Sequence, residues 1–86
     1  MMDKIVTSIK QVDMSELKIP VAAVHDNPLD YPGKCVVRIF DLDKPTNAVV
    51  VKDDLESLMK DIKDNTNLTF LKRGADDVKS LVGVWM

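Results

Sequence analysis

The sequence predicts an α+β fold: a mainly antiparallel sheet of four to five strands in the order β-β-β-α-β-β, with one helix, about residues 54–63, packed on one face. Three observations carry this. Residues 34–41 and 48–52 are rich in β-branched side chains, and the first of these runs alternates as strands do. Residues 53–63 hold an apolar stripe with helical spacing. The segments between are short and marked by Pro, Gly, Asn and Asp, so neighbouring elements are expected to be adjacent in space. With 86 residues, 45% hydrophobic and 30% charged, the chain reads as one domain, 1–86, in which residues 1–18 form a partly ordered N-terminal extension. A chain this short buries only about 60–65% of its unfolded surface, so most of its apolar residues are needed as core.

Taken in order, residues 1–18 fit two patterns equally. Ile5, Ile9 and Val12 share a helical face, while Ile5, Thr7 and Ile9 share a strand face. Asp13 and Glu16 have capping-box spacing, and Pro20 stops any helix there within about a turn. A first strand is expected over 19–24, with Pro20 at its start. The run from His25 to Gly33, with Asn27-Pro28 and Pro32-Gly33, is turn chemistry. From Lys34 to Asp41, Cys35, Val37 and Ile39 point one way and Val36, Arg38 and Phe40 the other; the second face is expected to be partly covered, with the Arg38 stem along apolar neighbours. Residues 42–47 read as a hairpin loop and 48–52 as the returning strand. Asp53 is then the expected N-cap of the helix, with Glu56 three residues on and Asp54 favoured by the helix dipole. Leu55, Leu58, Met59 and Ile62 form its buried stripe. A short strand follows over 68–72, then a turn at 73–77 that can run into a helical turn through Lys79, then a last strand over 81–86.

Composition narrows the class of function. The formal net charge is −2, from 12 basic and 14 acidic residues spread along the chain, which leaves no basic face for nucleic acid. A single cysteine, Cys35, forms no internal disulfide and fits a reducing compartment. No apolar run is long enough to span a bilayer and the start has no signal-peptide pattern, so the expectation is a cytoplasmic protein with no membrane partner.

Several residues could carry chemistry. His25-Asp26 is an imidazole beside a carboxylate, and with Asp30 it is the one arrangement that could support a small hydrolase or isomerase; a surface or turn-stabilising histidine is the simpler reading. Asp41 and Asp43 flank the hairpin loop and Asp53 and Asp54 start the helix, where carboxylates also serve as turn and cap acceptors. Asp76-Asp77 beside Arg73 reads as a solvated turn. Cys35 lacks an evident base and reads as a small buried apolar residue. Gly33, Gly74 and Gly83 make no phosphate-cradling motif, and Tyr31, Phe40, Phe70 and Trp85 are too dispersed to stack bases. No catalytic, cofactor or metal residue is therefore assigned. Trp85 is expected in the core or an interface, and Gly83 at a close backbone approach. Strands 48–51 and 81–86, if they were sheet edges, would pair with a second copy or another protein, making a homodimer one expectation; the other is that Pro20, Lys52 or flanking charges already guard the edges.

The residues His25-Asp26-Asn27-Pro28, Asp30 to Lys34, Val37 to Asp41, Lys44-Pro45-Thr46 and Asp53 to Glu56 resemble small uncharacterised bacterial and mobile-element proteins; the resemblance covers roughly residues 19–62 and implies no activity. More distantly, the run of strands into an Asp-x-Leu-Glu helix start is similar to the HicB-type antitoxin N-terminal domain, without its usual strand-end glycines. That similarity implies an inhibitor of a small ribonuclease toxin. Together these readings give a small non-enzymatic interaction or accessory protein, with the antitoxin-like inhibitor and the His25 enzyme as alternatives.

Overall fold

The computed structural model describes residues 4–15, 17–42, 44–72 and 80–86. They form an α+β fold of one helix on a six-stranded sheet: β1 (Lys4–Val6), β2 (Pro20–Asp26), β3 (Cys35–Asp41), β4 (Lys44–Lys52), helix α1 (Leu55–Asn65), β5 (Phe70–Lys72) and β6 (Leu81–Trp85). A 3-10 turn, Ile9–Gln11, follows β1. The sheet order is β1-β4-β3-β2-β6-β5. Every neighbouring pair is antiparallel except β1 and β4, which run parallel, so the sheet is mixed and has one or two strands more than expected.

Alternation along β2 and β3 builds the core. Ala22 opposes Ile39 and Val24 opposes Val37, and these four side chains share the face that α1 covers. Leu58 and Ile62 of α1, both fully buried, close over that face together with Ile9, Cys35, Val50 and Trp85. On the opposite face one row crosses all six strands by register: Ile5, Val49, Arg38, Ala23, Val84 and Leu71. Its centre is buried at Val49 and Ala23, while its ends, Ile5 and Leu71, are exposed. Arg38 in the middle pairs with Asp30 and lies 5.9 Å from the centre of the Tyr31 ring.

The structure moves several boundaries. The helix is capped by Asp54, not Asp53: the Asp54 side chain accepts the Ser57 amide at 2.7 Å, and Asp53 instead forms an ion pair with Lys34. A capping box does form near the N-terminus, but at Ser8 and Gln11. Asp13, expected to cap a turn of helix with Glu16, accepts from the Ser15 backbone and hydroxyl in an Asx turn; Glu16 lies outside the described residues. The hairpin loop shrinks from 42–47 to a two-residue connection, because Asp41 pairs directly with Lys44. Strands 48–51 and 81–86, considered as edges, are both internal, flanked by the three-residue strands β1 and β5. Each of these short edges carries a lysine, Lys4 or Lys72, which is how sheets discourage uncontrolled pairing. The turn expected over 73–79 lies outside the described residues.

Two contacts tie distant segments to the core. Asp61 of α1 accepts the Ser8 hydroxyl at 2.8 Å and the Ile9 amide at 2.7 Å, seating Ile9, which is 2% exposed. At the other end, the Phe70 and Trp85 rings lie 5.3 Å apart across β5 and β6. A Cβ on Gly83 would meet the Phe70 ring at 2.5 Å and the Leu71 carbonyl oxygen closer still, so only glycine lets β5 and its aromatic ring lie there. Trp85 Nε1 is buried with no hydrogen-bond partner among the described residues.

Asp61→Ala leaves the Ile9 amide without its acceptor, and a loss of about 1–3 kcal/mol is expected, with faster amide hydrogen exchange confined first to residues 4–12. Gly83→Ala is expected to cost about 1–3 kcal/mol, seen as a lower urea midpoint with an unchanged slope.

Candidate functional site

Consecutive residues of a strand leave it on opposite faces, and this separates the pair that the sequence put forward. Asp26 opposes Cys35 on the helix side and accepts its thiol proton at 3.3 Å. His25 emerges on the other face, where Nδ1 lies 3.2 Å from the Ser80 hydroxyl. Burial and the nearby Arg38 guanidinium hold the His25 pKa below its ordinary value, with the Asp30 carboxylate opposing them. Asp30 itself pairs with Arg38. Asp41 accepts the Ile19 amide at 3.0 Å and Asp54 caps α1, its carboxyl held below the usual range by the Ser57 amide and hydroxyl. Asp43, Arg73, Asp76 and Asp77 lie outside the described residues. Asp26, Asp41, Asp53 and Asp54 thus serve separate local contacts, whereas His25 lies within electrostatic reach of the Arg38–Asp30 pair.

Cys35 is buried, and burial together with the Asp26 carboxylate pushes its thiol up to about 11. The thiol form, which is the poor nucleophile, is the form present at neutral pH. Among the described residues no group of three or more His, Cys, Asp or Glu side chains is placed to hold a metal ion.

Two other features emerge from the tertiary structure. The first is a cavity of about 230 Å3 on the helix side, beside the first half of β4. Its origin is a bulge. Arg38 opposes Val49 and Phe40 opposes Pro45, so one residue of β3, Ile39, faces three of β4, Thr46, Asn47 and Ala48. The Thr46 hydroxyl fixes the irregular strand by donating to the Ile39 carbonyl at 2.7 Å and accepting the Ala48 amide at 3.2 Å. Ile39 and Ala48 line the hollow with Val6, Val12 and Leu17, and Lys4, Gln11, Asp13 and Asn47 supply its polar groups.

The second is the two-residue hairpin. Its first residue, Leu42, has φ +58°, as the right-handed twist of the flanking strands requires. Glycine or asparagine meets that requirement cheaply; leucine does so at a cost of about 1–2 kcal/mol. Leu42 is nonetheless 55% exposed, and its amide donates to the carbonyl of Ile19, which is 48% exposed. Two large, exposed apolar residues are therefore joined through their backbones at one end of the sheet. Neither feature was legible as a site in the sequence. A strand beginning at Lys44 in place of Ala48 would have been the one signal, since it leaves only Leu42 and Asp43 for the turn.

No family model, curated protein or solved structure matches this chain.

Because the folded state favours neutral His25, its contribution to stability is present above about pH 6.5 and is lost as pH falls through the lowered folded value. The wild type is expected to lose melting temperature relative to His25→Gln between about pH 7 and pH 5, measured by thermal denaturation in matched buffers.

Proposed function

We propose that this chain is a non-enzymatic interaction protein that self-associates through the exposed pair Ile19 and Leu42. The observation that supports it is Leu42: a large apolar side chain in a left-handed backbone conformation, facing water. It is unfavourable for the hairpin and unfavourable for solubility, so a contact outside the chain is what gives it a use. The lysine-bearing short strands at the two sheet edges favour a side-chain contact at the hairpin over strand-to-strand pairing. A second copy is the partner of choice because a self-complementary patch closes into a two-fold dimer that covers Ile19 and Leu42 on both chains. The local use of Asp26, Asp41 and Asp54 and the protonated state of Cys35 also fit a binding role.

The test is Leu42→Asn, which relieves the backbone while removing the apolar group. It is expected to raise stability by about 1 kcal/mol. In light scattering over a dilution series, the wild type is expected at about twice the monomer mass of 9.6 kDa at high concentration, and Leu42→Asn and Ile19→Lys at the monomer mass. A wild type that stays at the monomer mass throughout overturns self-association.

A further inference from the structure

The cavity beside the β4 bulge has a composition that neither the fold nor self-association requires. Its floor is apolar: Ile39 is 1% exposed, and Val6, Val12, Leu17 and Ala48 are half-buried residues that pack on the core and also face the hollow. Its polar groups are of both signs. Lys4 has no ion-pair partner among the described residues, and the Asn47 side chain makes no hydrogen bond among them. The Asp13 carboxylate, which accepts from the Ser15 amide at 3.0 Å and the Ser15 hydroxyl at 2.5 Å, supplies the opposite charge.

We propose that this cavity binds a free aliphatic α-amino acid, with Lys4 and Asn47 on its carboxylate, Asp13 on its ammonium group and the apolar floor on its side chain. Size and charge select this class. A volume of about 230 Å3 is below the roughly 300–1,000 Å3 of sites for drug-sized ligands and corresponds to about seven or eight waters at roughly 30 Å3 each. That matches a molecule with the heavy-atom count of valine or leucine. A plain hydrocarbon would make no use of Lys4 or Asp13, a fatty carboxylate would meet Asp13 and an alkylamine would meet Lys4. A zwitterion on an aliphatic body satisfies all of these groups at once. The wall is built before ligand arrives, since the Thr46 hydroxyl holds the bulge through two hydrogen bonds, and little ordering is then needed on binding.

The experiment is an amide NMR titration of the full chain with L-leucine. Saturable shifts are expected at the amides of Val6, Val12, Thr46 and Ala48, with a dissociation constant between about 10 µM and 1 mM. Isocaproate, which lacks the ammonium group, and isoamylamine, which lacks the carboxylate, are each expected to bind about tenfold more weakly or worse. Ala48→Phe fills the hollow and is expected to abolish the shifts; Lys4→Met and Asp13→Asn, both at exposed positions, are expected to weaken binding about tenfold with the far-UV circular dichroism unchanged. If Ala48→Phe fails to fold, the two exposed variants decide. Absence of saturation by about 10 mM leucine, equal binding of the three probes, or shifts located elsewhere overturns the proposal.

Discussion

The structure depends on a problem of coverage. Six strands at about 4.8 Å spacing make a sheet about 24 Å wide, whereas the 11 residues of α1 make a helix about 16 Å long that lies over β3 and β4. One helix cannot seal one face of that sheet. The remaining apolar surface on the helix side is closed from its two ends by different means. Toward β1, the 3-10 turn brings in Ile9, held by the Asp61 carboxylate; toward β5, the bulk of Trp85 and Phe70 does the same work, with Ala22 and Gly83 small enough to receive it. Apolar burial supplies the driving force, and the small number of polar contacts determines which segments deliver it.

This division explains where the molecule is hollow. The N-terminal segment reaches the core through Ile9, but where β4 carries two extra residues opposite Ile39 it bends away, and the segment does not follow. The cavity is the space left over, and the same irregularity fixes its wall through Thr46. A feature that looks like a packing defect thus has a wall held by two satisfied hydrogen bonds.

The charged residues follow a consistent logic. Asp54 caps a helix, Asp41 holds the start of β2, Asp61 seats the 3-10 turn, and Asp26 faces a thiol that stays protonated. In a small domain with a wide sheet, side-chain acceptors replace the backbone partners that longer elements would provide. The chain departs from local preference at Leu42 and at the β4 bulge, the kind of departure that functional sites impose.

The sequence by itself determined the α+β class, the strands around 34–41 and 48–52 and the stripe of Leu55, Leu58, Met59 and Ile62, because alternation and helical spacing are properties of neighbouring residues. It also marked Cys35, Val37 and Ile39 as one buried face. Two aspartates in succession, each with a hydrogen-bonding residue three positions on, put the expected cap at Asp53; the structure puts it at Asp54, while Asp53 pairs with Lys34 across the fold. The parallel pairing of β1 with β4, the separation of His25 from Asp26 across the sheet and the hollow beside Ile39 were decided only in three dimensions. Each depends on which strand lies beside which and in what register, and those choices are made by contacts between residues far apart in the chain, such as Ser8 with Asp61, 53 positions on, that no local pattern records.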